Sequence, residues 1–208
     1  MLPVQSTPAL AELGLPHLLA LATALGWASG MRLYATVFII GLCGRLGWVA
    51  LPAGLAVLEH TAVLVVAAVL MGVEFLADKI PGIDSLWDLV NTLIRVPAGA
   101  ALAAAALGAD SQTWAVVAAL LGAALAATAH AAKAGTRAAA NTSPEPFSNL
   151  LLSLAGDAFV PMLLWLSWAH PLAGGIVLVM ALALALALIH YTFRFLAGLL
   201  RRLRPQNS

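Results

Sequence analysis

The sequence predicts an all-α protein that crosses a membrane as a bundle of about six helices. Of its 208 residues, 62% are hydrophobic and 9% are charged, whereas soluble domains are about 45–50% apolar and about 25% charged. The apolar residues form runs long enough to cross a bilayer, which takes about 20 residues per helix. These runs lack the period-two alternation of a membrane barrel. The composition therefore indicates a polytopic helical membrane protein.

Six apolar elements are separated by stretches rich in Gly, Pro and polar residues, which are typical of turns and loops. The elements are Pro16–Trp48, Thr61–Ala77, Asp84–Leu107, Gln112–Ala134, Phe147–Trp168 and Leu172–Leu200. We interpret Val49–His60 and Thr142–Pro146 as loops, and we expect the fourth element to end before Gly135. Asp84 is a good residue type for capping the start of the third element.

The first apolar element is about 33 residues long, which exceeds one straight span. Ser29, Gly30 and Arg32 interrupt its middle. Because glycine permits a kink or a break, we expect either a broken helix or two short half-helices there.

The chain is expected to hold one domain, a transmembrane helical domain over residues 16–200. Residues 1–15 lack the basic start of a signal peptide and are interpreted as a flexible or interfacial lead-in, while residues 201–208 form a basic cytoplasmic tail. Cys43 is the only cysteine, so the sequence contains no internal disulfide and no CxxC pair. The net charge of +1 gives no indication of nucleic-acid binding. The expected partners are the bilayer and a small solute or ion, and a homo-oligomer is compatible with the sequence.

The distribution of basic residues predicts the orientation. Cytoplasmic segments of membrane proteins are enriched in Lys and Arg, and the tail contains Arg201, Arg202 and Arg204. With six spans, both termini are then cytoplasmic, together with the basic residues Lys79, Lys133 and Arg137. If the first element is a re-entrant pair, the number of spans and the side of the N-terminus change.

A short internal similarity suggests a repeat. Ser29-Gly-Met-Arg32 and Ala134-Gly-Thr-Arg137 share the pattern small–Gly–x–Arg. Two halves of three spans each would have opposite orientations, as in transporters built from inverted repeats.

Acidic residues are concentrated where the second and third elements meet. Glu74 and Asp78 share one helical face, and Asp84, Asp88, Asn91 and Arg95 form a stripe with spacings of four, three and four. The four carboxylates, Glu74, Asp78, Asp84 and Asp88, could coordinate a metal ion or relay protons. Alternatively, they lie in a solvated loop and stabilise the start of the third helix through its dipole.

A basic stripe lies on the fourth element, at His130, Lys133, Arg137 and Asn141. It is predicted to lie on the same side of the membrane as the acidic residues, and the charges are opposite. The stripe therefore either pairs with the acids and locks two helices together, or lines a polar vestibule that recognises a charged solute.

Three charged residues are predicted to lie near the middle of the bilayer: Arg32, Arg95 and Asp157. A charge at that depth costs about 2.5–3.5 kcal/mol on insertion scales, so each must face water or a partner. Asp157 could neutralise one arginine, which leaves the other without an assigned partner. An unpaired midplane arginine beside a glycine break would form an anion site.

Three segments together resemble a known family. They are SGMRLY, EFLADKIPGIDSLWD with the following IRVPAGA, and HAAKAGTRAAANTSPEPFSN. The sequence resembles, over about residues 20–200, the bacterial integral membrane family catalogued as domain of unknown function 4126. The resemblance implies a small protein of the bacterial inner membrane, and it implies no activity and no site residues.

The leading hypothesis is a small transporter or channel for an ion or a small, anionic solute. Arg32, Arg95 and Asp157 would line its pathway, and the vestibule would consist of Glu74, Asp88, Asn91, His130, Lys133, Arg137 and Asn141. The alternatives are a membrane enzyme that uses Mg²⁺ on a lipid or polyprenyl phosphate, and a non-catalytic scaffold. The sequence contains none of the common catalytic or nucleotide-binding motifs, so no catalytic residue and no cofactor is assigned. A water-filled cavity at the midplane arginines would favour transport, whereas a closed, fully paired network would argue against it.

Overall fold

The computed structural model describes residues 14–80, 82–108, 111–142 and 147–203. Within these ranges the helices are α1 Leu15–Arg45, a 3₁₀ helix Ala53–Glu59, α2 Thr61–Ala77, α3 Ile83–Leu107, α4 Gln112–Ala140, α5 Phe147–Ala169 and α6 Pro171–Leu203. Most of the predicted lead-in 1–15, most of the tail 201–208 and part of the loop Thr142–Pro146 lie outside the described residues. The division of the chain into these three parts stays a prediction.

The predicted all-α membrane bundle is confirmed. The described residues contain no strand, and five of their helices are long and apolar enough to cross a membrane. The number rises to six if the 3₁₀ helix and α2, which meet at 69°, count as one bent span. The predicted loop Val49–His60 therefore contains a 3₁₀ helix.

The end of the fourth element was predicted wrongly. α4 continues through Gly135 to Ala140 instead of ending near Ala134. The Thr136 hydroxyl donates to the backbone oxygen of Ala132, and the Arg137 side chain is anchored by an ion pair to Asp78. The ion pair anchors the added turns despite the low helix propensity of glycine, whereas the threonine bond does not add to helix stability.

The predicted break in the first helix is confirmed, and it lies at Arg32. Arg32 has φ −146° and ψ 74°, which is not helical, whereas the residues on both sides are helical. Gly30 serves another purpose: a Cβ at Gly30 would clash with the backbone oxygen of Ala126. The glycine therefore allows α1 and α4 to approach closely, and it does not form the break.

The first segment of α1 runs parallel to α4. A Cβ at Gly26 would lie 2.7 Å from the Cα of Gly122, and four residues later Gly30 meets Ala126. Helices related by an inverted repeat must run in opposite directions across the membrane. These contacts therefore give no support to an inverted repeat that pairs α1 with α4.

α1 and α3 run antiparallel, although α2 lies between them in the chain. A Cβ at Gly99 would lie 2.5 Å from the hydroxyl of Ser29, and Leu107 lines a small cavity together with Leu19. Later positions on α3 thus face earlier positions on α1. If α1 and α2 each crossed the bundle once, α3 would run parallel to α1. The chain must therefore reverse before α2, and Arg32 is the point at which the helix breaks.

The 3₁₀ helix shows where the second segment of α1 leads. A Cβ at Gly41 would clash with the backbone oxygen of Leu58, and a Cβ at Gly54 with that of Ala105, close to the end of α3. A straight α1 would carry Gly41 about 16 Å beyond Gly30, in the direction away from Ala105. α1 is therefore a helical hairpin whose second arm turns back toward the end of the bundle where α1 began.

Candidate functional site

Nine charged residues of the described part of the chain converge into one connected network. Nine ionic groups are linked by ion pairs within 4 Å; the acids are Glu74, Asp78, Asp88 and Asp157, and the bases are Arg32, Lys79, Arg95, Lys133 and Arg137. Five bases against four acids leave a formal charge of +1. We call this set the ion-pair network.

Asp78 is the centre of the network. It follows the last residue of α2, so its carboxylate projects from the helix end into the bundle. One oxygen, Oδ2, accepts from Arg32 Nη1 and lies 3.0 Å from Lys133 Nζ, and the other, Oδ1, accepts from Arg137 Nη1. Asp78 is fully buried. A single carboxylate thus joins cations from α1 and α4.

Arg95 is fully buried, with 0% exposure, and is the second junction of the network. Its Nη2 donates to Glu74 Oε1 at 2.6 Å, and its Nη1 donates to Asp88 Oδ1 at 2.7 Å. Asp88 and Arg95 are seven residues apart, which puts them two turns apart on one face of α3. Arg95 therefore ties α3 to α2 inside the bundle.

His130 extends this junction to α4. Its Nδ1 lies 3.0 Å from Arg95 Nη1, and its Nε2 lies 2.8 Å from the hydroxyl of Thr92. Because an arginine can only donate, Nδ1 is the acceptor, and in the neutral ring the proton is on Nε2. The histidine thus has a hydrogen-bond partner at both ring nitrogens.

α5 contributes one charged residue, Asp157. Its carboxylate lies 2.9 Å from Arg32 Nη2 and 3.0 Å from Lys79 Nζ. Arg32 Nη2 also donates to the backbone oxygen and to the hydroxyl of Ser153. The Asp157 side chain is 24% exposed, against 3% for Arg32. This side of the network is therefore its most accessible edge.

The predicted midplane trio does not form an isolated site. Arg32 pairs with Asp157 as expected, but also with Asp78, and Arg95 pairs with Glu74 and Asp88. Neither arginine lacks a partner. The prediction considered depth in the membrane, and it missed that the turn after α2 brings Glu74 opposite Arg95.

Asp84 belongs to a separate polar group at the helix ends. Its carboxylate accepts from the backbone N–H groups of Gly82 and Ser85 and from the side-chain amides of Asn141 and Asn149. These partners lie at the start of α3, the end of α4 and the start of α5. The group therefore holds three helix ends together through neutral donors. Asn149 was not identified from the sequence, since its amide is one of several polar groups beside the predicted loop Thr142–Pro146.

Asn91 was predicted to belong to the vestibule, but its hydrogen bonds lie elsewhere. Its Oδ1 accepts from the Tyr34 hydroxyl at 2.8 Å, and its Nδ2 donates to the backbone oxygen of Trp87. Tyr34 and Trp87 also make a tilted ring contact. Asn91 therefore supports the packing of the second α1 segment on α3.

A metal site at the predicted acidic cluster has no structural support. The part of the chain that the structure describes contains no group of three or more His, Cys, Asp or Glu arranged to hold a metal ion. Basic side chains separate Glu74, Asp78 and Asp88, and Asp84 is bound by neutral donors.

An apolar cavity of about 680 Å³ adjoins the network between α1, α4, α5 and α6. It is lined by Trp27, Met31, Ala132, Lys133, Thr136, Arg137, Leu152, Ala155, Gly156, Phe159, Val177, Met180, Ala181, Leu184, Ala185 and Leu188. Its polar wall is supplied by three residues on one face of α4, Lys133, Thr136 and Arg137. Gly156 lines the cavity and lies next to Arg32, since a Cβ there would be 3.6 Å from Arg32 Nε.

These features define a polytopic helical membrane protein in which a buried ion-pair network borders an apolar cavity. A family model described as "Domain of unknown function (DUF4126)" matches residues 19–191. The chain therefore belongs to this family, as its resemblance implied. No curated protein and no solved structure matches the chain.

Proposed function

We propose that the protein is a small membrane transporter that binds its solute in the cavity between α1, α4, α5 and α6. The cavity of about 680 Å³ carries this proposal, because sites for small molecules are mostly apolar and typically about 300–1,000 Å³ in volume. Lys133 and Arg137 add a few polar groups to an otherwise apolar wall, as such sites require.

The pairing of the midplane arginines argues against the expected pathway lined by Arg32, Arg95 and Asp157, so the proposal no longer routes the solute through them. Removing one partner of a buried ion pair costs about 3–5 kcal/mol, so an open aqueous path through Arg32 and Arg95 would require new partners for them. We infer that the solute binds beside the network and that the network is a closed wall of the site. Asp157 and Ser153 link α5 to this wall, so movement of α5 is the simplest way to open it.

We also propose an orientation in which the end of the bundle containing the C-terminus of α6 is cytoplasmic. Arg201 at this end and the basic tail favour that side. Because α1 turns back at Arg32, we count the five helices α2 to α6 as the crossings. An odd number of crossings puts the start of α1 on the side of the bacterial inner membrane opposite to the end of α6. This replaces the expectation that both termini are cytoplasmic. Cysteine labelling of Gln112 and Thr142 from each side tests it: Thr142 should react only from the cytoplasm.

Flux measurements on reconstituted protein test the transport proposal. Purified protein in liposomes is assayed with a panel of ions, small organic anions and amphiphiles. Ala181 lines the cavity, and Ala183 is exposed on the same helix. We expect Ala181→Phe to lower the flux at least about tenfold by filling the site, and Ala183→Phe to leave it unchanged. Equal fluxes for the two variants would contradict the proposed site.

A non-catalytic scaffold is the second candidate, and the extensive pairing within the network favours it. Such a network can fix the helices relative to one another without any solute, because losing one partner of a buried ion pair is strongly destabilising. The scaffold is distinguished by the same assay, because correctly folded wild-type protein would then move no member of the panel. The Mg²⁺-dependent enzyme has no comparable support, since the described acids do not form a metal-binding group.

A further inference from the structure

We propose that the cavity binds a single-chain amphiphile with an anionic head group, taken up from the bilayer. The head group would lie against Lys133 and Arg137, and the chain would extend along α6. The inference uses the cavity of the proposed transporter and adds the chemical class of its ligand.

The charge balance of the network indicates an anion. Five bases face four acids within ion-pair distance. Asp84, the remaining acid of this region, forms no ion pair within 4 Å: it accepts from neutral donors at the helix ends and acts on Arg137 only from a longer distance. Buried charges are normally paired, so one base is in excess among the directly paired groups. An anionic head group would supply a fifth negative charge in direct contact with these bases.

Two bases of the ion-pair network border the cavity. Lys133 and Arg137 are the bases among the cavity-lining residues, and both are buried, at 7% and 2% exposure. Lys133 Nζ lies 3.0 Å and 3.1 Å from Asp78 and Asp88 but makes no hydrogen bond of regular geometry. Among the described residues, Arg137 forms its ion pairs through Nη1. Its remaining nitrogens can therefore serve an anion, for which the guanidinium fork is suited.

The rest of the cavity fits an alkyl chain. Its lining on α6 extends from Val177 to Leu188, which is about 16 Å along the helix axis. Apart from Thr136 and the two bases, the lining side chains are apolar or glycine. Met180 and Leu184 line the cavity and are 66% and 61% exposed, so the cavity is open along this part of α6. The chain of an amphiphile can therefore reach the cavity sideways from the bilayer.

Trp27 offers a direct reporter of occupancy. It lines the cavity and is 3% exposed, so a brominated chain must enter the cavity to contact it. A variant that retains only this tryptophan is made by replacing Trp48, Trp87, Trp114, Trp165 and Trp168 with Phe, and its fold is checked by circular dichroism. In nanodiscs, we expect mid-chain brominated dodecanoate to quench Trp27 saturably.

Competition defines the head group and the chain. Dodecyl phosphate should displace the brominated probe, whereas methyl dodecanoate and dodecylamine should need at least about tenfold higher concentrations. Ala181→Phe in the same background should abolish saturable quenching, and Ala183→Phe should preserve it. Absence of saturable quenching, or equal competition by the neutral ester, would overturn the inference. Competition by inorganic phosphate alone would instead assign the site to a small anion and would also overturn it.

The outcome separates this inference from the proposed function. Saturable quenching without flux of any amphiphile would retain the ligand class and remove transport. Flux of another solute that is blocked by Ala181→Phe, without quenching, would retain the transporter and remove the amphiphile.

Discussion

The two sides of α4 differ in how they are packed. Toward α1 and α3, Gly26, Gly30, Gly99 and Gly122 bring backbones into contact, and the buried part of the ion-pair network lies alongside. Toward α5 and α6, the helix borders a cavity of about 680 Å³. α5 reaches the network through Asp157 and Ser153. The first side can hold the bundle together, while the second leaves room for a ligand and for motion.

The largest expected effect is at Arg95, on the tightly packed side. Arg95→Met leaves Glu74 and Asp88 buried without their nearest cation, which costs about 3–5 kcal/mol. Chemical unfolding in detergent micelles should report this loss of free energy of unfolding. Arg45→Met is the control, because Arg45 is exposed and contacts Thr61 and the Glu59 backbone.

A second variant tests whether pairing is the cause. Glu74→Gln combined with Arg95→Gln removes one charge of each sign, and it should recover part of the stability lost in Arg95→Gln alone. If the double variant is as unstable as the sum of the single ones, the pair makes no specific contribution. The network would then not distinguish the two sides of α4.

Gly30 should show the next largest effect. A Cβ there would meet the Ala126 backbone, which cannot move as a side chain can, and overpacking typically costs about 1–3 kcal/mol. We expect Gly30→Ala to lower the thermal unfolding temperature in detergent. Gly72→Ala is the matched control, since a Cβ at Gly72 meets nothing within 4 Å. Alanine there should be neutral or stabilising, and equal losses for both variants would contradict a close α1–α4 contact.

The sequence predicted this arrangement only within single helices. The spacing of Asp84, Asp88, Asn91 and Arg95 correctly predicted one stripe on α3. Spacing does not specify which face of another helix a stripe meets, so the Glu74–Arg95 pair and the contact between Tyr34 and Asn91 were missed. In the structure the stripe is divided among three environments. Asp88 and Arg95 belong to the network, Asn91 contacts α1, and Asp84 belongs to the helix-end group.

The path of α1 could be predicted only in part. Ser29, Gly30 and Arg32 indicated a break, but a length of about 33 residues fits a bent span and a hairpin equally. The decision depends on tertiary contacts, such as that between Gly41 and Leu58. The cavity had no sequence signal, since Ala and Leu line it as they line the lipid-facing surface.

The smallest expected effect is at Lys79, on the side toward α5. Lys79 Nζ contacts Asp157 and Ser153 and lies 3.1 Å from the ring centroid of Phe75, and the side chain is 19% exposed. Arg32 still neutralises Asp157 in Lys79→Gln, and partly exposed ion pairs contribute about 0–1 kcal/mol. We therefore expect a loss of at most about 1 kcal/mol in unfolding free energy, together with faster proteolysis near α5 if this edge opens. A loss as large as that of Arg95→Met would mean that α5 is held as firmly as α3, and the cavity would then lie beside a rigid wall.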